Sequence, residues 1–302
     1  MFSMSFVARD GQKKVRKAVV PAAGLGTRLL PATKSIPKEL LPIVGAPTIH
    51  YIAEEAIASG IEELIIVANG SKQAILDYFA SSPKLEQALA SKGKSHLLKS
   101  VQNITDRIRV TTVNQDEPKG LGHAILMAKD AVGDEPFAVL FPDEILRGSV
   151  PVTKQMLDVF ASHGPVIPLR PIPEKEFHRY GMVRSSEALG DGVHRVFDII
   201  EKPSSTSGIT NLGIIGGRYV LPPEIFAILE STPAGVGGEI QLTDAIQTLA
   251  KQIPLFGFEF KGERYDTGDA LGLLEANIGF GLQHDEIGEH VHELLKRFLK
   301  SD

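Results

Sequence analysis

Two stretches near the start of the chain combine glycine, cations and proline in a way that suits phosphate chemistry. Gly24-Leu25-Gly26-Thr27-Arg28 directly follows an apolar run. Glycines at such a place let the backbone approach a phosphate, and the exposed N–H groups can bind it. Arg28 adds a cation suited to phosphate oxygens. Pro37-Lys38-Glu39-Leu40-Leu41-Pro42 then sets a lysine on a stiff segment framed by prolines. Taken singly, the first stretch also reads as a tight strand–helix turn and the second as an ordinary surface lysine; their closeness in sequence favours one shared anion site. A dinucleotide fingerprint would need a third glycine where Leu29 stands, which disfavours a nicotinamide-dependent oxidoreductase. The Gly-Lys-Ser/Thr of a P-loop is also missing here.

Other polar residues carry less on their own. Asp143 follows an apolar strand, at the edge where open parallel sheets bind ligands. Asp266 lies in Tyr-Asp-Thr-Gly, and as single residues both read equally well as turn or cap residues. Gln115 reads alone as a polar loop residue, and Glu201-Lys202 as an ion pair at a strand end. Gly93-Lys94-Ser95 ends like a P-loop, but Ala88 stands where its first glycine belongs. His290 and His292, two apart on an expected helix, point in different directions and make a poor metal pair. His123 reads as a near-site structural residue, not a general base.

These residues must be positioned by ordinary globular elements. The chain has 302 residues, 43% hydrophobic and 23% charged, with a formal net charge of −5. That length suits two domains or one large α/β domain. The mild acidity argues against a nucleic-acid binder. No cysteine is present, which excludes disulfides, thiolate metal sites and a cysteine nucleophile and fits a reducing, cytoplasmic setting. No apolar run reaches membrane-spanning length, and the first residues lack a secretory pattern, so no membrane role is expected.

Apolar runs at 17–23, 62–68, 107–113 and 137–141 read as buried strands, separated by helical patterns at 48–59, 71–80 and 121–131. This alternation implies an α/β fold, a three-layer α/β/α sandwich on a Rossmann-like, mixed and mostly parallel sheet. The second half is less regular, with strands expected at 165–170, 180–184, 193–200, 212–220 and 254–260 and helices at 222–230, 240–251, 269–282 and 285–299. Residues 81–106 read as a helical insertion and a candidate contact surface. The expected organisation is a flexible lead-in over 1–15, one domain over 16–284 and a C-terminal helix over 285–302.

The spacing of the two opening motifs, with Leu30-Pro31-Ala32-Thr33-Lys34 between them, resembles the signature of the sugar-1-phosphate nucleotidylyltransferases. The match is close to the bacterial branch that joins UTP to glucose 1-phosphate. Further blocks occur in the same order: Gln115 with Gly120-Leu-Gly-His-Ala124, Phe141-Pro-Asp143, Tyr180-Gly181, Glu201-Lys-Pro203, Asn211-Leu-Gly213, Gly217-Arg-Tyr219, Glu239 to Ile246 and Tyr265-Asp-Thr-Gly268. The resemblance runs from Lys17 to Phe280. It implies the nucleotide-diphospho-sugar transferase fold and formation of UDP-glucose and pyrophosphate from UTP and glucose 1-phosphate. It also implies that 16–284 is the catalytic domain, with a nucleotide-binding part, about 16–145, before a sugar-phosphate-binding part, about 146–284.

It also implies roles. Arg28 and Lys38 would hold the triphosphate and the leaving pyrophosphate. Ala23, Gly24, Gly26, Glu39, Gln115 and Gly120 would bind the nucleotide. Gly181, Glu201 and Lys202 would take the sugar phosphate, and Asp143 with Asp266 would hold Mg²⁺, for which two carboxylates suffice. Gln115 has the donor and acceptor groups to meet a uracil edge, and its amide can in principle flip to suit cytosine. The resemblance further implies a homo-oligomer, dimer or tetramer. Two departures stand out: Val44-Gly45-Ala46-Pro47 replaces the more usual Val-Asp-Lys-Pro, and Glu144 follows Asp143 where relatives carry Asp, Val or Asn. The rival readings are a sister enzyme using dTTP or another sugar phosphate, and a non-catalytic nucleotide-sugar sensor. A sensor has no need of both aspartates, both lysines and Arg28.

Overall fold

The computed structural model describes residues 14–70, 72–104 and 106–299. Its architecture follows from alternation along buried strands. In β1 (Lys17–Pro21) Ala18 and Val20 enter one apolar cluster and Val19 the other. In β4 (Glu63–Ala68) Leu64 and Ile66 divide from Ile65 and Val67 in the same way. A strand buried on both faces needs a helical layer on each.

One layer holds α1 (Thr48–Ala58), α2 (Gln73–Phe79), α7 (Val152–His163) and α10 (Ala270–Leu282). The other holds α5 (Leu121–Met127), α6 (Lys129–Val132), α8 (Ile225–Ser231) and α9 (Leu242–Gln252). Helical spacing explains their orientation: α9 buries Leu242, Ala245, Ile246 and Leu249, a single stripe, and leaves its polar face to solvent.

The sheet has ten strands. Outward from β1, β4 and then β5 (Arg109–Asn114) lie on one side, and β6 (Phe137–Leu140) on the other, all parallel. Beyond β6 come β12 (Arg218–Leu221), β8 (Val166–Pro171), β13 (Leu255–Glu259), β10 (Val193–Glu201), β9 (Gly181–Gly190) and β11 (Leu212–Ile214). The pairings run seven of the ten strands in one direction and reverse β12, β10 and β11. Both halves of the chain thus share one sheet, joined where β6 meets β12.

Two small ribbons lie outside it. β2 (Pro42–Ile43) pairs β3 (Ala46–Pro47), so Val44-Gly45 forms a hairpin tip. β7 (Glu144–Arg147) pairs antiparallel with β14 (Glu263–Asp266), with Glu144 opposite Asp266. The sequence reading includes neither the second ribbon nor α7. The expected strand over 212–220 is two strands, broken at Gly216 and Gly217, and the helix over 121–131 is split at Ala128.

The 81–106 insertion forms α3 (Pro83–Ser91) and α4 (Ser95–Gln102), and the P-loop-like Gly93-Lys94 is the turn between them. The C-terminal helix is α11 (Gly288–Leu299). Most of the expected lead-in lies outside the described residues; at its end Val15 is already buried in the core and Lys14 pairs with Glu62. Among the described residues no helix is long and apolar enough to cross a membrane.

Candidate active site

The loop after β1 is held from behind. Asn69 Nδ2 donates to the Ala23 carbonyl at 3.0 Å, and Lys72 Nζ donates to the Gly24 carbonyl at 2.7 Å. The N–H groups of Gly24, Leu25 and Gly26 have no hydrogen-bond partner among the described residues. A loop with its carbonyls occupied and its N–H groups open is a site for anionic oxygens. Gly26 takes a left-handed conformation, φ 66°, at the entry to the short turn that carries Arg28.

Lys72 also explains Glu39, and here the sequence expectation is corrected. Both Glu39 carboxylate oxygens accept from Lys72 Nζ at 2.9 Å, and the side chain is fully buried. It therefore does not face the cavity where a nucleotide would lie; it anchors the lysine that anchors the loop. Burial pushes the Glu39 carboxyl up and the Lys72 ammonium down, and their mutual attraction offsets only part of this.

A cavity of about 310 Å³ opens in front of the loop at the carboxyl ends of the parallel strands. Ala23, Gly24, Lys38, Gln115, Gly120 and Asp143 all line it. Gly120, φ 95°, must be glycine, because a Cβ there would lie 2.6 Å from Glu239 Cβ. Its neighbour segment is stitched to residues 239–241 by Gly122 N to Ile240 O and Ile240 N to Lys119 O, at 2.9 and 2.8 Å. Gln115 is buried, with Nε2 2.8 Å from His123 Nδ1 and 3.4 Å from the Gly120 carbonyl. Its amide is thus held by two neighbours, not free to flip as the sequence reading allowed.

Beside the cavity, at Asp143, two carboxylates meet. The β7–β14 ribbon brings Asp143 and Asp266 together, and Thr267 N closes on the Asp143 carbonyl at 2.8 Å. Gly268 measures the convergence: a Cβ on it would lie 2.6 Å from Arg28 Nη2, 3.0 Å from Asp266 Oδ1 and 3.2 Å from Asp143 Oδ2. Lys38 Nζ sits 2.5 Å from Asp143 Oδ2. Burial would raise the Asp143 carboxyl, but Lys38, with a smaller contribution from Arg28, holds it below the usual carboxylate range. It is ionised at neutral pH.

Glu144 does not join this pair through an open oxygen. Both its oxygens accept from Arg264 at 2.6 Å, and Arg264 also reaches Asp266 Oδ2 at 3.2 Å. Burial pushes Glu144 up to about 7 against the pull of Arg264. Among the described residues no cluster of three or more His, Cys, Asp or Glu side chains is placed to hold a metal, so a cation here would rest on two aspartates. A hard divalent ion held by one or two carboxylates, with phosphate oxygens and water completing its shell, matches that donor set.

A second cluster lies where β9 pairs β10. Gly181 faces Glu201 across the two strands, and a Cβ on it would meet Thr243 and Glu201 Oε2 at 3.0 and 3.1 Å. Lys202 follows at φ 42°, an uncommon conformation for a side-chain-bearing residue, with Nζ half-exposed and 3.3 Å from Glu201 Oε1. Strain of this kind gathers at functional sites. Burial, with smaller contributions from the Glu201 and Glu144 charges, pushes the Tyr219 hydroxyl up.

Comparison with known proteins establishes the family. A profile described as "Nucleotidyl transferase" matches residues 17–280. The UTP–glucose-1-phosphate uridylyltransferase of Bacillus subtilis (strain 168) is 45% identical over 291 residues, 96% of this chain and 99% of its own length. The chain belongs to the UTP–glucose-1-phosphate uridylyltransferase family of nucleotidyl transferases. Among solved structures, a UTP-bound UGPase from Acinetobacter baumannii superposes with a TM-score of 0.87 at 38% identity, covering 95% of this chain and all of that one. A UDP-glucose pyrophosphorylase complexed with UDP-glucose superposes at 0.80 with 39% identity, over 89% of this chain and all of that one.

Three residues of this uridylyltransferase family member escape single-residue reading. Lys72 carries no motif signal at all. Glu239 lines the cavity and sits in a block that resembles the family, yet a glutamate before an apolar helix reads as a cap. Arg218, fully buried, pairs with Glu55 at 2.7 Å and donates to the Glu144 carbonyl at 2.9 Å, so it supports the turn that presents Asp143. Its signal is a charge inside an apolar strand.

Proposed function

We propose that this chain transfers the uridylyl group of UTP to glucose 1-phosphate, forming UDP-glucose and releasing pyrophosphate. The observation that carries the reading is the convergence of Asp143, Asp266 and Arg28 at Gly268, with Lys38 on Asp143, beside a cavity backed by an open N–H loop. A phosphate oxygen of the sugar attacks the α-phosphorus, the new O–P bond forms, and the bond to the β-phosphate oxygen breaks. The attacking phosphate monoester is mostly dianionic at pH 7, its second pKa being about 6, so positioning and charge matter more than a base.

The residues divide the work. The Gly24–Gly26 N–H groups and Arg28 hold the triphosphate. Lys38 faces the leaving pyrophosphate, whose charge grows as the bond breaks. Gln115, with the backbone at Ala23 and Gly120, holds the base. Glu201 and the backbone at Gly181 take sugar hydroxyls, and Lys202 aligns the sugar's phosphate for attack. Asp143 and Asp266 would hold Mg²⁺, which when bound supplies charge neutralisation between the phosphates. We also read the chain as a cytoplasmic homo-oligomer, supported by exposed Leu271 and Leu274 on α10 and Phe298 and Leu299 on α11.

Pyrophosphate release, measured with glucose 1-phosphate, Mg²⁺ and each triphosphate in turn, tests the reading. UTP should exceed CTP and the purine triphosphates by large factors and dTTP by a smaller one. Equal kcat/KM for UTP and ATP would overturn it. Light scattering after size exclusion gives the oligomer, and a monomer at micromolar concentration would remove that part.

A further inference from the structure

His123 has no task in the transfer just described, yet it touches the side chain placed to read the base. Gln115 is buried, and its main-chain N–H is committed to the Ala68 carbonyl at 2.8 Å. Its amide nitrogen faces two groups, His123 Nδ1 at 2.8 Å and the Gly120 carbonyl at 3.4 Å. A carbonyl can only accept, so the nitrogen, not the oxygen, belongs on that side. The reverse orientation would set Oε1 against the Gly120 carbonyl. Nδ1 completes the arrangement if it accepts too, with the imidazole proton on Nε2. Burial, with Lys119 nearby, holds the His123 pKa below the ordinary histidine value, in keeping with a neutral ring at pH 7. Gln115 Oε1 accepts from no group among the described residues, while the residue lines the cavity.

We propose that His123 is a specificity-determining positioning residue: by accepting from Gln115 Nε2 it locks the amide with Oε1 toward the nucleotide base. The inference rests on the reading that this cavity holds the base. An acceptor locked opposite N3 of the base selects one that presents a donor there. Uracil carries N3–H there. Cytosine carries a lone pair, which would leave two acceptors facing each other in a buried site. Without the histidine only the longer 3.4 Å contact to the Gly120 carbonyl restrains the amide, so the reversed amide, which offers its NH₂ to either base, becomes accessible and the distinction fades.

The test uses the full chain with glucose 1-phosphate and Mg²⁺, and reads kcat/KM for UTP and for CTP. His123→Phe keeps a ring and removes the acceptor. His123→Asn restores an acceptor near the Nδ1 position. Gln115→Ala removes the reader. The UTP-to-CTP ratio should fall about tenfold or more in H123F and Q115A and stay within about threefold of the unmodified enzyme in H123N. A purely structural histidine would lower both substrates together and leave the ratio alone. If H123F keeps the ratio while Q115A loses it, the lock is wrong and the base-site reading stands. If Q115A also keeps it, the base-site reading itself falls. A ratio lost equally in H123N and H123F would also overturn the acceptor role. His123→Leu replaces the phenylalanine variant should that one not fold.

Discussion

Glu39 and Lys72 offer a way to separate anchoring from ligand binding in the phosphate loop. Lys72 Nζ makes three short contacts, two to Glu39 at 2.9 Å and one to the Gly24 carbonyl at 2.7 Å. Glu39→Gln removes the negative charge and leaves the ammonium buried without its counter-ion. Breaking one side of a buried pair costs roughly 3–5 kcal/mol. At roughly 2–4 °C per kcal/mol for a chain somewhat smaller than this, Tm should fall by about 6–20 °C. Glu39→Leu combined with Lys72→Met removes both charges at once. Burial already opposes both ionised forms, so this pair of apolar residues should recover most of the lost stability. It cannot recover the bond to Gly24. The double variant should therefore melt near the unmodified protein yet bind UTP poorly, with kcat/KM down by about 10²-fold, the scale of an ångström-sized misplacement. Differential scanning fluorimetry and pyrophosphate release report the two quantities independently. A Glu39→Gln variant that melts normally but loses UTP would make Glu39 a ligand and refute the anchor.

Asp143→Asn and Asp266→Asn should each lower turnover by about 10²-fold or more at saturating Mg²⁺ while the fold survives, and near-normal turnover in either removes that residue from the metal site. Gly268→Ala should reduce turnover on the same scale, because its Cβ would fall 2.6 Å from Arg28 and 3.0 Å from Asp266; unchanged kinetics would mean these groups need not converge. Lys202→Ala should raise KM for glucose 1-phosphate more than for UTP, whereas Lys38→Ala should chiefly lower kcat, and an unchanged sugar-phosphate KM in the former would cancel its role. Arg218→Met should cost roughly 3–5 kcal/mol, read by chemical denaturation, since it strands the buried Glu55 carboxylate.

What was readable in the sequence depended on how local each signal is. β1, β4 and β6 are apolar runs buried on both faces, and α1 and α9 bury single stripes, so period and length are enough to find them. α7, absent from the expected elements, carries a comparable stripe, with Val152, Thr153, Met156, Val159 and Phe160 buried. The β7–β14 ribbon is different. Each strand is four residues long, and charged or half-buried positions interrupt the apolar pattern. Its pairing joins residues about 120 apart, so no window along the chain contains it.

That ribbon is also why the site was only partly legible. The glycine loop and Lys38 could be paired from sequence because they lie close together along the chain. Asp143 and Asp266 could be paired only through family resemblance, since their meeting depends on Glu144 registering opposite Asp266. Glu39 shows the opposite error. Beside Lys38 in a proline-framed motif it looks like part of the same anion site, but a carboxylate has little reason to face a triphosphate. It turns inward, where Lys72 from beyond β4 neutralises it and in turn holds the Gly24 carbonyl. Charge sign thus accounts for the division within the motif: Lys38 lies on the cavity beside Asp143, and the anion turns away to hold the loop.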